Sequence, residues 1–226
     1  MTTTVVAVVE GHGDRAAIEM LLRRWFHHHQ VFPLPRVRVL VTNGVIKILA
    51  PHNGQTQHGV EYWINKAQQY QPCAILVLLD ADDECEQPTY RPRGERLGPW
   101  LLSRAREIVG HIPISVVVAD RCFESWFFCP PCQQALQEAK LFQRTDRAAA
   151  DHARGRWESR LRSLMGRSYS KAAHQVKLAA HLPLGRDMAG ASRSFQKLQQ
   201  ELARLCSVVS RIGESTPPGD DELDGS

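Results

Sequence analysis

The stretch that decides the fold is AILVLLDADD, residues 74–83. Its first six residues are all apolar, as expected for a strand that other elements cover on both faces. The apolar run ends at Asp80, which Asp82 and Asp83 follow closely. Ligands of parallel sheets bind beyond the carboxyl ends of the strands, so these carboxylates lie where a site is expected.

Three more short strand candidates are found on either side of this stretch, at residues 5–9, 37–41 and 114–119. Between the runs, apolar residues recur at helical spacing, with Asp14 placed as the N-cap of the first helix. Strands that alternate with helices predict an α/β fold with a mostly parallel, four-stranded, Rossmann-like sheet and helices on both of its faces. The predicted helices of this part cover residues 14–25, 60–70 and 97–109.

After residue 130 the sequence becomes rich in arginine, has a helical pattern and contains few β-branched runs. We predict three parts: an α/β domain over residues 1–130, a helical, Arg-rich C-terminal extension over 131–212, and a disordered acidic tail over 213–226. Helices of the extension are predicted near residues 132–142, 145–165, 171–181 and 193–211.

The composition is that of an ordinary globular protein, with 43% hydrophobic and 23% charged residues. It excludes wholesale disorder, collagen and coiled coils. No apolar run is long enough to cross a bilayer, and the N-terminus lacks the basic region of a signal peptide. We therefore expect a cytoplasmic protein without a membrane partner, whose six cysteines stay reduced.

Four acidic positions form a candidate metal site: Glu10 after the first strand, Asp80 and Asp82 after the third, and Glu124 shortly after the fourth, with Asp83 beside them. Like charges about 4 Å apart repel by roughly 4 kcal/mol at an effective dielectric constant near 20, so such a cluster needs protons or a cation. Oxygen ligands favour Mg²⁺ or Mn²⁺ over Zn²⁺. The alternative is that these residues only end strands, because Asp is a common turn former.

The basic residues are concentrated in one segment. Nine Lys and Arg residues against three acidic residues lie between Lys140 and Lys171, whereas the whole chain has a net charge of +4. Such a segment suits a polyanion, and a solvated helix face is the alternative. The candidate phosphate-binding residues are Arg154, Arg156, Arg160 and Arg162.

The acidic motifs resemble those of the TOPRIM superfamily. The resemblance rests on Glu10-Gly11-x-x-Asp14 and on Leu-Leu-Asp80-Ala-Asp82-Asp83, each after an apolar strand. Three further motifs narrow it to small stand-alone TOPRIM-like bacterial proteins, related to OLD-type nucleases and often encoded beside an ABC/SMC-type ATPase in defence-like loci. These are Phe123-Glu124-Ser-Trp126-Phe127-Phe128, Tyr169-Ser-Lys171 and Ser194-Phe195.

This resemblance implies roles for individual residues. Asp80 and Asp82 would hold the metal, with Asp83 and Glu124 as further ligands, and Glu10 would act as a ligand or as a general base. Gly11 would let the backbone approach a phosphate, and Lys171 would reach the scissile phosphate. The implied activity is phosphodiester hydrolysis with one or two Mg²⁺ or Mn²⁺ ions.

Other motifs give weaker signals. Cys129-Pro-Pro-Cys132 lacks the further ligands that a zinc site needs, so we interpret these cysteines as structural. The three histidines at 27–29 end a predicted helix and are expected to face solvent. Gly11-x-Gly13 matches neither a dinucleotide fingerprint nor a P-loop.

Two functional hypotheses follow from the sequence. The first is a metal-dependent nuclease acting on DNA or RNA, as a defence effector that an ABC/SMC-type ATPase controls. The second is a non-catalytic TOPRIM-like module that binds nucleic acid, a nucleotide or an ATPase partner. The sequence leaves the oligomeric state open, a homo-oligomer included.

Overall fold

A computed structural model gives the architecture of the chain. It describes residues 3–52, 54, 57–81, 90–146, 157–185 and 191–214. The predicted site residues Asp82, Asp83, Arg154 and Arg156 lie outside these ranges, as do residues 215–226 of the predicted tail.

The centre of the fold is a four-stranded sheet in which every pair of neighbouring strands is parallel. Its strands are β1 (Thr4–Val9), β2 (Arg36–Val41), β3 (Ala74–Asp80) and β4 (Ile114–Ala119). Their order is β2-β1-β3-β4, which places β1 and β3 in the middle. Every residue of β3 is buried, as the apolar run predicts. The predicted α/β class with a parallel four-stranded sheet is therefore confirmed.

Helices cover both faces of the sheet. Alternate residues of β1 belong to two hydrophobic clusters, one for each face: Val5, Ala7 and Val9 to the first, Val6 and Val8 to the second. The second cluster contains α2 (Ile46–Leu49), α3 (Val60–Gln68) and α4 (Leu97–Val109). The first contains α1 (His12–His28), α5 (Pro130–Glu138), α6 (Trp157–Met165), α7 (Lys171–Ala179) and α8 (Arg193–Glu214), together with a 3₁₀ helix (Phe123–Phe128).

The C-terminal helices share their core with the sheet. Leu136, Leu161, Leu178 and Leu202 are buried in the same cluster as Val5 and its neighbours on β1. Residues of the predicted extension thus contribute to the packing of the α/β domain. Helix α8 includes residues 213 and 214, the first two of the predicted tail. Within the described ranges, no helix is long and apolar enough to cross a membrane.

Three local predictions need correction. The N-cap of α1 is Gly11, and Asp14 is the third residue of the helix, where its carboxylate accepts a hydrogen bond from the Gly11 N–H. The described part of the predicted helix 145–165 is helical only from Trp157, since residues 145 and 146 are not helical. Helix α2 and the 3₁₀ helix were not predicted, because runs of four to six residues are too short to show a periodicity.

Candidate functional site

The candidate site lies at the carboxyl edge of the sheet, around the side chain of Asp80. Asp80 is the last residue of β3, one of the two central strands, and pairs with Ala119 at the end of β4. Its Oδ1 accepts a hydrogen bond of 2.8 Å from the backbone N–H of Phe123. This bond ties the 3₁₀ helix that follows β4 to the end of β3.

The 3₁₀ helix brings Glu124 into the site. All six of its residues are buried, including the carboxylate of Glu124. Glu124 Oε1 accepts a hydrogen bond of 2.9 Å from the Tyr169 hydroxyl. The aromatic residues around Glu124 pack in the core, where Phe123 and Trp126 have ring centroids 4.8 Å apart. A buried carboxylate held by a tyrosine is consequently fixed in place.

Helix α8 fixes the 3₁₀ helix from the other side. Ser194 Oγ accepts hydrogen bonds from the Trp126 indole N–H at 2.9 Å and from the Asp120 N–H at 3.2 Å. Phe195 packs against Trp126 with ring centroids 5.5 Å apart. The Ser194-Phe195 motif therefore supports the segment that carries Glu124 and has a positioning role.

Lys171 lies at the centre of the acidic groups. It is the first residue of α7, and its Nζ is 3.1 Å from Asp14 Oδ1, 3.8 Å from Asp80 Oδ2 and 4.0 Å from Glu124 Oε1. The three carboxylate side chains are 5%, 11% and 7% exposed, whereas that of Lys171 is 40% exposed. The ammonium group thus reaches three buried carboxylates from the solvent side.

Asp14 is a site residue to which the sequence motif Glu10-Gly11-x-x-Asp14 assigned no role beyond that of a helix cap. Its Oδ2 accepts the Gly11 N–H at 3.0 Å, and its Oδ1 accepts a hydrogen bond of 2.8 Å from Gln175 Nε2 in addition to contacting Lys171. The spacing Glu10-Gly11-x-x-Asp14 contained the signal, because it places Asp14 on the first turn of the helix that leaves the site.

Close packing of α1 and α7 makes this arrangement possible. A Cβ atom on Gly13 would lie 2.5 Å from Gln175 Oε1 and 2.7 Å from Lys171 Cγ. Only a glycine lets α7 approach α1 this closely. Lys171 and Gln175, four residues apart on one face of α7, are both positioned by this contact.

The charged groups of the site shift one another's pKa values. Burial raises the pKa of Asp80 well above its usual value, and the charges of Asp14, Glu124 and Glu10 raise it further, while Lys171 opposes the shift. Burial lowers the pKa of Lys171, but the carboxylates of Glu124, Asp80 and Asp14 outweigh this effect and raise it. Lys171 is therefore a cation at neutral pH.

Burial and the neighbouring carboxylates also shift the pKa values of Tyr169 and Cys122. Burial raises the pKa of the Tyr169 hydroxyl, and the charge of Glu124 raises it further, so Tyr169 is a neutral hydrogen-bond donor at physiological pH. Burial, followed by the charges of Glu124 and Asp80, raises the pKa of Cys122. Cys122 is therefore a thiol, and not a thiolate ligand or nucleophile.

The structure places Asp80, Glu124 and Lys171 close together and adds Asp14, Tyr169 and Gln175 to them. Glu10 follows β1 directly, and its charge is near enough to act on Asp80. The N–H of Gly11 is bound to Asp14, so it is already used within the protein. In the part of the chain that the structure describes, no three His, Cys, Asp or Glu side chains are arranged as a metal-binding group.

The predicted phosphate-binding arginines have different surroundings. Arg160 Nε donates a hydrogen bond of 2.7 Å to Asp146 Oδ2, and the guanidinium carbon lies 3.9 Å from the centroid of the Phe128 ring. Arg160 is thus engaged within the protein. Arg162, on the same helix, is exposed.

The cysteine and histidine motifs lie in the core and on the surface, respectively. Cys129 and Cys132 are buried in the core, with their sulfur atoms 2.7 Å apart. The three histidines at 27–29 are exposed at the end of α1, as predicted.

Comparison with known proteins gives one family. Neither the curated proteins nor the solved structures contain a match. Residues 9–203, which include every described residue of the candidate site, match the family described as a domain of unknown function, DUF4276. With most of its length matched, the chain belongs to the DUF4276 family.

Proposed function

We propose that this protein is a TOPRIM-like nuclease that hydrolyses phosphodiester bonds in DNA or RNA with the help of Mg²⁺ or Mn²⁺. One observation carries the proposal: the carboxylates of Asp14, Asp80 and Glu124 all lie within 4.0 Å of a single cationic nitrogen at the carboxyl edge of a parallel sheet. A pocket of carboxylates around a positive charge is chemically suited to a hard divalent ion.

The oxygen donors of the site are of the chemical type that such an ion prefers, although the described side chains are not arranged as a metal-binding group. Its ligands would be the carboxylate oxygens of Asp80, Glu124 and Asp14, with Glu10 beside them and with Asp82 and Asp83 as further candidates from the sequence. Gln175 Oε1 adds a buried neutral oxygen that has no hydrogen-bond partner. A bound divalent ion would activate water and stabilise the charge that develops on the phosphate oxygens.

The residues of the chain have distinct parts in this reaction. The Phe123 N–H and the Tyr169 hydroxyl orient the carboxylates of Asp80 and Glu124. Lys171, the most exposed charged group of the cluster, neutralises a phosphate of the nucleic acid. Glu10 takes a proton or contributes a further oxygen ligand, and the exposed Arg162 contacts the backbone of the polyanion.

Control by a partner forms part of the proposal. A free nuclease that is always active would harm its host, so we propose that an ABC/SMC-type ATPase in the cytoplasm gates the activity. In this proposal a nucleotide binds to that ATPase and acts on the nuclease through it.

The experiment has two stages. Thermal unfolding of the full chain with millimolar Mg²⁺ or Mn²⁺ tests the metal site, since a ligand at a hundredfold excess over its Kd stabilises the fold by about 2.7 kcal/mol. Incubation with plasmid, single-stranded DNA and tRNA then tests cleavage. Asp80→Ala should abolish both effects, whereas Glu107→Gln, an exposed acidic position on α4, should change neither.

A non-catalytic module is the second candidate, and the position of Lys171 favours it. The lysine already compensates part of the charge of the cluster without a metal ion. A chain that binds nucleic acid with unchanged affinity in EDTA, and whose melting temperature does not respond to Mn²⁺, would support this second function and contradict the first.

A further inference from the structure

We infer that a polar cleft between residues 144–146 and α6 binds a phosphate group, independently of the proposed metal ion and hydrolysis. The cleft has a volume of about 350 Å³, within the range of about 300–1,000 Å³ that is typical of ligand sites. Its polar lining consists of two arginines, one aspartate and three residues with a hydroxyl group: Arg144, Arg160, Asp146, Thr145, Ser159 and Ser163. It is hereafter the Arg144 cleft.

The charge of the Arg144 cleft suits a phosphate group. Two positive charges, of Arg144 and Arg160, against the one negative charge of Asp146 leave a net charge of +1. Arginine offers phosphate oxygens two parallel N–H donors, and each hydroxyl group offers one O–H donor. A phosphate group with a single negative charge therefore matches the cleft in both charge and hydrogen bonding. The backbone of a nucleic acid and a free nucleotide are two sources of such a group.

The two sides of the Arg144 cleft are open to solvent. Ser159 and Ser163 are four residues apart on α6, and Arg160 is three residues before Ser163, so the three side chains are neighbours on one helix face. Both serines are exposed. Arg144 and Thr145, on the other side of the cleft, are exposed as well. A ligand can therefore reach these side chains without an opening of the core.

Contacts within the protein hold Arg160 in place beside the cleft. Its Nε is bound to Asp146, and its guanidinium carbon lies 3.9 Å from the centroid of the Phe128 ring. Its Nη2 is buried and has no hydrogen-bond partner in the part of the chain that the structure describes. A buried donor without an acceptor is unfavourable. A phosphate oxygen in the adjoining cleft would supply the missing acceptor.

The Arg144 cleft is tied to the 3₁₀ helix that carries Glu124. Gln133 is buried, and its Nε2 donates hydrogen bonds to the carbonyl oxygens of Phe128 at 2.6 Å and Asp146 at 2.7 Å. Its Oε1 accepts the N–H of Asp146 at 2.6 Å. Phe128 ends the 3₁₀ helix in which Glu124 is the second residue, about 8 Å away at a rise of about 2 Å per residue. A phosphate in the cleft would thus bind to a segment that is firmly connected to the candidate site.

Fluorescence anisotropy with a labelled oligothymidylate in EDTA tests the cleft without metal or cleavage. Arg144→Gln should weaken binding at least about fivefold and lower the salt slope of binding by about 0.7, as expected for one lost phosphate contact on a single strand. Arg106→Gln is the matched control, because it removes the same charge at an exposed position of α4, a helix on the other face of the sheet. It should change the affinity by less than about twofold.

Ser163→Ala tests whether the cleft is more than a single surface charge. It removes a neutral donor, so it should weaken binding at least about threefold and leave the salt slope unchanged. Ser207→Ala, at an exposed position of α8, is its control and should bind like the wild type. If Arg144→Gln fails to fold, the comparison of Ser163→Ala with Ser207→Ala decides the matter.

Thermal unfolding with AMP and with inorganic phosphate separates the two sources of the phosphate group. A site for the nucleic acid backbone predicts the oligonucleotide results above. A site for a free nucleotide predicts that AMP or inorganic phosphate raises the melting temperature of the wild type and of Arg106→Gln but not that of Arg144→Gln, while the oligonucleotide binds all three proteins equally. Either pattern supports the Arg144 cleft and names its ligand.

Two results would overturn the inference. The first is equal behaviour of Arg144→Gln and Arg106→Gln with the oligonucleotide, AMP and inorganic phosphate. The second is a loss of binding in Arg144→Gln that Ser163→Ala does not share for the same probe, which would reduce the cleft to one exposed charge. Because every measurement is made in EDTA, neither result bears on the proposed metal-dependent hydrolysis, and a failure of Mn²⁺ binding would leave the Arg144 cleft in place.

Discussion

The substitution Gly13→Ala tests whether close contact between α1 and α7 builds the site. In the wild type, Gly13 is the second residue of α1 and faces the side chains of Lys171 and Gln175. An added Cβ would lie 2.5 Å from Gln175 Oε1 and 2.7 Å from Lys171 Cγ, both shorter than any relaxed contact. Gln175 is fully buried, so its amide cannot turn into solvent.

Two effects of opposite sign determine how Gly13→Ala changes the free energy of unfolding. Alanine is better than glycine in a helix by up to about 1 kcal/mol. Overpacking in a filled contact costs about 1–3 kcal/mol. We expect the second effect to prevail, with a net loss of about 1–2 kcal/mol, which lowers the melting temperature by about 2–8 °C in a chain of this length.

Gly98→Ala is the matched control. Gly98 is the second residue of α4, and an added Cβ would meet only Val118 Cγ2, at an ordinary distance of 3.7 Å. The same chemical change should therefore raise the free energy of unfolding by about 0.5–1 kcal/mol. Urea unfolding of the two variants gives both values. If Gly13→Ala were as stable as Gly98→Ala, the close contact of α1 with α7 would be refuted.

Three further substitutions test individual contacts of the site. Burial and neighbouring carboxylates raise the pKa of Asp80 in the folded protein, so the ionisation of Asp80 opposes folding. The stability that the protonated carboxyl contributes is fully present below the unfolded pKa, near 3.9, and is lost as the pH rises through the folded pKa. Asp80→Asn should therefore raise the melting temperature at pH 8 without metal. Tyr169→Phe removes the hydrogen bond to Glu124 and should reduce the free energy of unfolding by about 1.5–3 kcal/mol. Ser194→Ala leaves the buried Trp126 N–H without its acceptor and should cost about 1–3 kcal/mol, which urea unfolding would detect.

Matched variants control these three measurements. Glu107→Gln, Tyr90→Phe and Ser207→Ala make the same chemical changes at exposed positions and should alter the free energy of unfolding by less than about 0.5 kcal/mol. A lower melting temperature of Asp80→Asn at pH 8 would show that the ion pair with Lys171 outweighs repulsion. Losses in Tyr169→Phe or Ser194→Ala that are no larger than in their controls would contradict the positioning roles of Tyr169 and Ser194.

The sheet could be predicted from the sequence because β1, β3 and β4 are largely apolar and β2 alternates apolar residues with Arg36 and Arg38. A buried parallel strand gives a continuous hydrophobic run, and the predicted run 114–119 coincides with β4. The alternation with helical patterns then determined the fold class. Strand order, in contrast, depends on long-range pairing, for which single runs carry no signal.

The site was predictable only in part. Glu10, Asp80 and Glu124 share a recognisable position after strands, and the parallel topology brings such positions to one edge. The contact of Lys171 with Asp14 joins residues that are far apart along the chain and depends on how α7 packs on α1. Asp14 resembles an ordinary helix cap in sequence, and in the structure its carboxylate accepts the N–H of the N-cap residue Gly11 and also contacts the lysine.

The charge pattern of the basic segment did not predict which of its arginines are exposed. Counting arginines does not distinguish Arg160, which binds Asp146 and lies over Phe128, from the exposed Arg162. Both residues belong to α6, and only the face that each one occupies decides its surroundings. That distinction needs the tertiary packing of the 3₁₀ helix against α6.

The central claim is that the carboxylates of Asp14, Asp80 and Glu124 hold a divalent cation. Diffraction from crystals of the full chain soaked in Mn²⁺, recorded at the manganese absorption edge, tests it most directly. The proposed function predicts an anomalous peak between these carboxylates, bound by Asp80 and at least one of the other two. A map without an anomalous peak at this place, in which Lys171 keeps its contact with Asp14, would contradict the claim.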